Sequence, residues 1–212
     1  MASAAPTPVP GALRTARLLL RPWTEADREP FARWSHDAEA TRYVLRGPLE
    51  EAEIDEHHGR SLEQWRTLDF GARSILDAET ERWLGFVDVS PVGPGKGCRV
   101  DDIELGYFLL PFAWGRGIAT EAAVAARDDA FARTGVPELL GRFRVENAAS
   151  GRVLEKAGFT FVRRHTFPDG NVAHVTRLTR REWAALVGAG EAMPQSEGYR
   201  RASALPTHQL WR

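Results

Sequence analysis

The chain has 212 residues, a formal net charge of −1 at pH 7, 43% hydrophobic residues and one cysteine, Cys98. This length is typical of a single domain with a sizeable core. The balanced charge argues against nucleic acid or an anionic membrane as the main partner, because both attract a basic excess. A single cysteine excludes an internal disulfide framework. We expect a soluble cytoplasmic protein, because the sequence shows neither a signal-peptide pattern nor ~18 consecutive apolar residues.

The first third of the chain predicts one strand and two helical stretches. Residues 1–12 are rich in Ala and Pro, which favours disorder. Residues 17–21 (RLLLR) predict a short strand. Thr24 and Asp27 resemble a capping box at the start of a helix, with Asp in place of the usual Glu. Pro48 is expected to begin the second helical stretch.

The middle of the chain predicts an antiparallel meander. Three apolar runs of strand character follow one another, at residues 70–76, 83–89 and 100–110. A Gly/Pro-rich loop joins the last two, and its segment Gly93–Gly97 (GPGKG) superficially resembles a phosphate loop. It lacks the spacing and the Ser or Thr after Lys that a nucleotide P-loop requires, so we interpret it as a flexible connection.

The last third alternates helices and strands. Alanines recur along the helix predicted from Ala119 to Arg133, and such small residues let a helix lie close to a sheet. Pro168–Asn171 (PDGN) is a strong hairpin signal, and Thr179 with Glu182 forms a capping box. The predicted elements are a strand at 139–145, a helix at 147–157 ended by Gly158, hairpin strands at 159–167 and 172–178, and a final helix through Leu186.

The stretch from Ile103 to Thr120 (IELGYFLLPFAWGRGIAT) is the most informative part of the sequence. Its apolar strand stops at Pro111, since proline cannot donate to a sheet ladder. Gly115 and Gly117 then precede a helical pattern. A strand that enters a helix through a glycine turn presents backbone N–H groups and the positive end of the helix dipole to an anion. The stretch therefore predicts a pyrophosphate site.

Three segments together resemble the GNAT superfamily of acyl-CoA-dependent N-acetyltransferases. The closer resemblance is to its RimJ/RimL branch, which acetylates ribosomal-protein N-termini and includes small-amine acetyltransferases. The segments are Glu104–Tyr107 with Pro111, Trp114–Ala122, and Asn147-x-x-Ser150 leading into Leu154–Phe159.

The resemblance implies a mixed α+β fold, the GNAT fold, with a central twisted, mostly antiparallel sheet of about seven strands flanked by about four helices. The predicted organisation is a disordered segment at 1–12, an acetyltransferase domain at 13–187 and a tail at 188–212 of unassigned role.

The resemblance implies acetyl-CoA as the co-substrate; no metal is expected, because the sequence shows no second ligand cluster to accompany His57 and His58. It assigns the pyrophosphate to backbone amides of Gly115, Arg116, Gly117, Ile118, Ala119 and Thr120. It assigns the pantetheine arm to the strand backbone at Tyr107, Phe108, Leu109 and Leu110. Asn147 is expected to contact CoA, although it could equally be only a helix cap. Trp114 is expected to be a core aromatic. The family's two central strands splay apart around the thioester, a feature that this sequence does not reveal.

Acetyl transfer from a thioester requires that the amine lose a proton and that the CoA thiolate regain one. Glu104 is the candidate base, acting through a water, because a carboxylate on an otherwise apolar strand needs a reason; the alternative is an acid on the solvent face. We predict that Glu104→Gln lowers turnover far more than acetyl-CoA affinity. Many GNAT enzymes reprotonate the thiolate with a tyrosine, but here that position is Leu154. Ser150 is the nearest hydroxyl and the substitute candidate, with helix capping as its alternative role.

The sequence leaves the acceptor open between a protein N-terminus and a small-molecule amine. The acidic run of residues 50–56 could attract a cationic acceptor, although acids also suit the first turn of a helix. His57 and His58 are adjacent and face different sides of a helix, which disfavours a metal site. No cysteine lies in the motif segments, which favours direct attack of the amine in a ternary complex. The alternative is a non-catalytic acyl-CoA sensor, and a homodimer is possible in either case.

Overall fold

The computed structural model describes residues 10–44, 47–92 and 102–188. They form one eight-stranded sheet with helices on both faces. The strands are β1 (Leu13–Arg14), β2 (Leu18–Pro22), β3 (Arg73–Asp77), β4 (Trp83–Pro91), β5 (Ile103–Leu109), β6 (Glu138–Arg144), β7 (Thr160–Thr166) and β8 (Val172–Thr179). The helices are α1 (Arg28–Ser35), α2 (Ala38–Thr41), α3 (Glu51–Leu68), α4 (Ile118–Arg133), α5 (Ala148–Lys156) and α6 (Arg180–Val187).

The strand order is β1-β2-β3-β4-β5-β6-β8-β7, and the contact between β5 and β6 is the parallel one. The other neighbouring strands pair antiparallel, including the predicted meander β3-β4-β5 and the hairpin β7-β8. The helix α4 connects β5 to β6, as a parallel pair requires. The predicted mixed α+β class and mostly antiparallel sheet are therefore confirmed.

The counts and one boundary differ from the prediction. The described chain has eight strands and six helices, because β1 and α2 are short segments of two and four residues without a clear periodicity. The second helical stretch begins at Glu51 and not at Pro48. Glu50 is extended and forms a capping box with Glu53, whose carboxylate accepts from the Glu50 amide at 3.0 Å, and this cap sets the start of the helix. The segment Gly93–Gly97, Cys98 and most of both termini lie outside the described residues.

The sheet separates two apolar clusters. On one face, α4 packs through Ala122, Ala123, Ala126 and Ala130, each at most 2% exposed, which is the close approach that small residues allow. On the other face, α1 and α3 cover an aromatic cluster. Phe31 and Trp34, whose spacing of three places them on one face of α1, lie in that cluster.

Candidate active site

The central feature of the site is the separation of β5 from β6. The two strands are paired at one position, Glu104 with Leu140, and then diverge. Beyond this position, the side of β5 that faces β6 has no strand partner among the described residues. Backbone N–H and C=O groups on such an edge are open to a ligand. The splay that the sequence could not reveal is therefore present.

The glycine turn lies at the end of the separated strand. A 3-10 turn at Pro111–Ala113 follows β5, and α4 begins directly after Gly117. Gly115 and Gly117 have φ of 72° and 77°, which is the left-handed region that favours glycine. The first backbone bond across this start runs from the Glu121 amide to the Gly117 carbonyl. The earlier amides of the helix have no acceptor within it, so they are available to an anion.

Arg17 and Glu121 fix the glycine turn to the start of the sheet. The Arg17 guanidinium donates to the Arg116 carbonyl at 2.9 Å and to the Glu121 carboxylate at 2.8 Å. Glu121 also accepts from the Thr15 hydroxyl at 2.5 Å and from the Arg17 amide. Desolvation alone would raise the pKa of Glu121, but the bonds from Thr15 and Arg17 together outweigh it and lower that pKa. The turn is thus held in shape by Glu121, which lies in the motif segment Trp114–Ala122, and by Thr15 and Arg17, which no motif singled out.

A cleft of about 420 Å³ extends from the splay to the turn and along α5. Ten of the predicted site residues line it: Tyr107, Phe108, Leu109, Gly115, Gly117, Ile118, Ala119, Thr120, Asn147 and Ser150. Three others do not. The Leu110 amide donates to the Leu84 carbonyl, the Arg116 carbonyl accepts from Arg17, and Glu104 lies on the opposite face of β5 from Tyr107.

Several lining residues were missed by the sequence reasoning. Arg152 and Lys156 stand one turn apart on α5, are exposed and line the cleft. Arg42 and Tyr43 line it from the segment after α2. The spacing of the two basic residues after Asn147 was a readable signal, whereas Arg42 is brought close only by the fold.

Trp114 was expected to be a core aromatic, and this is wrong. Its side chain lines the cleft and is 36% exposed. The indole N–H donates to the Leu109 carbonyl at 3.0 Å, and the Arg42 guanidinium lies 5.6 Å from the ring. The turn at Pro111 places the ring outside the sheet, so it forms part of the cleft wall.

Asn147 and Ser150 lie together at the start of α5. Asn147 is the N-cap residue, and its side-chain oxygen accepts from the Ser150 amide at 3.2 Å. The Tyr107 hydroxyl donates to the Ser150 carbonyl at 2.6 Å and lies 2.8 Å from the Ser150 hydroxyl. Because the tyrosine proton is directed to the carbonyl, the serine hydroxyl is the donor between the two oxygens. Burial raises the pKa of Tyr107 above its ordinary value.

Glu104 is buried rather than on a solvent-facing surface. Its two carboxylate oxygens accept from Arg142 on β6, at 3.0 Å from Nε and 2.6 Å from Nη2. The Glu104 and Arg142 side chains are 9% and 2% exposed. Two parallel bonds of this kind are the strongest form of the Arg–carboxylate pair. Arg142 is a residue that sequence reasoning missed, because only the β5-β6 contact brings it to Glu104.

The acidic run and the two histidines form local contacts. Glu51 and Asp55 pair with Arg28, which supports the interpretation of the run as a solvated helix start. His58 accepts from the Trp23 indole, while His57 packs edge-on against Phe31. The residues that the structure describes contain no group of His, Cys, Asp or Glu arranged for a metal ion. None of their helices has the length and apolar character needed to cross a bilayer.

Comparison with known proteins defines the class. The family model described as an acetyltransferase (GNAT) domain matches residues 17–160. An FsC-acetyl coenzyme A-N(2)-transacetylase of Aspergillus fumigatus is 30% identical over 184 residues, covering 82% of this chain and 78% of that protein. The crystal structure of an acetyltransferase from Agrobacterium tumefaciens superposes with a TM-score of 0.67 and 29% identity, over 84% of this chain and 99% of its own. RimL, a ribosomal-protein alpha-N-acetyltransferase in complex with coenzyme A, shares the fold, with a TM-score of 0.63, 17% identity and coverage of 78% and 95%.

The fold, the splayed cleft and these matches define an acetyltransferase. The chain belongs to the GNAT family of acetyltransferases. The resemblance stated from its motif segments is thus confirmed at the level of the family.

Proposed function

We propose that this protein transfers the acetyl group of acetyl-CoA to a primary amine by direct attack in a ternary complex, and that residues 13–187 form the catalytic domain. The observation that carries this proposal is the single pairing between β5 and β6, followed by a cleft that ends at a glycine turn. A thioester needs such a slot, because its carbonyl must be open to a nucleophile while the arm behind it is held.

The proposed acetyl-CoA site uses backbone on one side and basic side chains on the other. The amides from Gly115 to Thr120 hold the pyrophosphate, and the open edge of β5 holds the pantetheine arm; Asn147 is an additional contact. The left-handed glycines support this assignment, since at both positions they leave the backbone uncovered by a side chain. Arg152 and Lys156 supply positive charge for the phosphates from α5.

The chemical step requires one base and one acid. Glu104, through a water, is the predicted base, and Ser150 the predicted donor to the CoA thiolate; both assignments are proposals. Ser150 lines the cleft and its hydroxyl is already in a hydrogen-bonded pair with Tyr107. Cys98, the single cysteine, lies outside the motif segments, which favours direct attack over a covalent acyl-enzyme.

We place the protein in the RimJ/RimL-like branch, with an acceptor amine on a protein N-terminus or a small molecule. The names of two similar proteins support an amine nitrogen as the acceptor, one transferring acetyl to N(2) and the other to a protein α-amino group.

A second candidate function is non-catalytic binding of acyl-CoA. One observation favours it: Leu154 is 1% exposed and packs into the core, so no tyrosine hydroxyl emerges from α5 at that position. Turnover distinguishes the two candidates, because a sensor binds acetyl-CoA without transferring its acetyl group to any amine and therefore releases no CoA.

The proposed pyrophosphate site at the glycine turn is tested by calorimetry, in which the wild type, Gly117→Asp and Gly170→Asp are each titrated with acetyl-CoA. Gly117 and Gly170 have similar φ values, 77° and 82°, and a Cβ added at either would meet no atom closer than 3.5 Å. The two variants therefore share backbone strain and charge, but only Gly117 lies in the cleft. We expect micromolar binding, about −8 kcal/mol, in the wild type and Gly170→Asp, and none in Gly117→Asp.

Turnover is then measured as CoA release with spermidine, a tetrapeptide with a free N-terminus, and n-butylamine. Release with at least one amine supports the enzyme. Binding without release from any amine in a wider panel favours the sensor. No binding of acetyl-CoA by the wild type contradicts both functions.

A further inference from the structure

Asp88 is a buried carboxylate that the family assignment does not use. It lies on β4, and its Oδ2 accepts from the Ser90 hydroxyl at 2.7 Å. Its Oδ1 is fully buried and has no hydrogen-bond partner in the described part of the chain, although the residue as a whole retains some exposed surface. Burying a carboxylate oxygen without a donor is unfavourable. A ligand that donates a hydrogen bond to this oxygen would therefore be stabilised.

The surroundings of Asp88 suit a small cation. It lines a cavity of about 10 Å³, large enough for about one water and hence for one ammonium head group. The other walls include aromatic rings from three elements and the segment before α1. Aromatic faces attract cations and repel anions. The rings are those of Trp23, Phe31, His57 and Phe86.

Asp88 is also one strand away from the splayed edge. It pairs with Gly106 on β5, and neighbouring strands lie about 5 Å apart. Phe108 lies between the two sites: it lines the cleft, and its ring stacks on that of Phe86 in the cavity wall, with 4.5 Å between the ring centroids. One strand spacing therefore separates the Asp88 position from β5, whose far edge borders the cleft.

The carboxylate of Glu104, which neighbours Asp88, is less available to a ligand. Both oxygens of Glu104 are engaged by Arg142, whereas one oxygen of Asp88 has no partner among the described residues. Glu104 on β5 and His57 on α3 are the titratable groups that face Asp88, and Arg142 lies behind Glu104 on β6.

We propose that Asp88 binds the nitrogen of the acceptor and takes its proton, so that the preferred acceptors are alkylamines that arrive as ammonium ions. This inference rests on the proposed function, and it assigns the role of base to Asp88 instead of Glu104. One N–H bond breaks and its proton moves to Oδ1; the freed nitrogen pair forms the C–N bond. As the C–S bond breaks, the departing thiolate takes a proton from Ser150, the proposed acid; a second N–H bond of the attacking nitrogen also breaks, and its proton restores the Ser150 hydroxyl. Burial, with the charge of Glu104, raises the pKa of Asp88 to about 6, which keeps it able to accept a proton near neutral pH.

The test compares Asp88→Asn with the wild type and with Ser90→Ala, which keeps the carboxylate and removes its hydroxyl partner. The probe is spermidine, or n-butylamine if spermidine is not turned over. At pH 7 we expect Asp88→Asn to lower kcat/KM for the amine by about 100-fold or more, with the acetyl-CoA Kd unchanged within about twofold. Ser90→Ala is expected to remain within about threefold of the wild type.

A pH series separates proton transfer from a structural role. Without the carboxylate, the variant depends on amine that has already lost its proton in solution, and this fraction increases about tenfold per pH unit below the amine pKa. The loss of kcat/KM in Asp88→Asn relative to the wild type should therefore become smaller as the pH rises. A deficit independent of pH, a loss of acetyl-CoA binding, or a kcat/KM within about threefold of the wild type would each overturn the inference. The inference would also be overturned if the loss of kcat/KM became smaller with rising pH in Glu104→Gln but not in Asp88→Asn. An inactive wild type that binds acetyl-CoA would instead contradict the proposed function itself.

Discussion

The pair of Glu104 and Arg142 provides a sharp test of how the centre of the sheet is held together. Arg142→Met keeps much of the side-chain length but leaves the Glu104 carboxylate buried without its two donors. Removing one partner of a buried pair costs about 3–5 kcal/mol, because the remaining charge is uncompensated. For a domain of this size, that corresponds to a fall in Tm of about 6–20 °C.

Urea unfolding at pH 7 measures this effect. The matched control is Arg33→Met, which removes an arginine from the exposed pair with Glu29, whose N···O distance is 3.9 Å. We expect that variant to lie within about 0.5 kcal/mol of the wild type. The double variant Glu104→Gln with Arg142→Met should recover a large part of the loss, since no charge is then left buried. A loss below about 1 kcal/mol in Arg142→Met, or no recovery in the double variant, would refute the reasoning.

Two further predictions concern the turn and Asp88. Arg17→Ala should weaken acetyl-CoA binding by about 3–10-fold, because the Arg116 carbonyl and the Glu121 carboxylate lose the hydrogen bonds that hold the glycine turn. The control is Arg14→Ala on β1. Equal acetyl-CoA affinities of Arg17→Ala and the control in calorimetry would contradict this prediction. Asp88 is protonated more readily in the folded state, where its pKa is about 6 instead of 3.8, so its contribution to stability is lost as the pH rises from about 4 to 6. Relative to Asp88→Asn, the wild type should therefore lose up to about 3 kcal/mol of unfolding free energy between pH 4 and 7. If urea unfolding gives the same difference between the two proteins at every pH in this range, the raised pKa of Asp88 is ruled out.

Local patterns predicted most of the elements because their signals are short in range. The capping boxes at Thr24–Asp27 and Thr179–Glu182 both form, and the PDGN hairpin joins β7 and β8. The glycine turn adopts the left-handed conformations for which its composition is suited. The errors also follow from the short range of these signals. β1 and α2 are too short to show a period, and the exposure of Trp114 is set by the direction in which the chain leaves the sheet.

The sequence by itself determined the order of most elements, the family and the position of the glycine turn, because each depends on residues adjacent along the chain. The tertiary structure alone decided which charges meet. Glu104 and Arg142 are 38 residues apart, and Arg17 and Glu121 are 104 apart. The splay of β5 from β6 and the unpartnered oxygen of Asp88 in the described chain are likewise products of strand pairing. Contacts between distant residues depend on how the sheet is assembled, which no local pattern records.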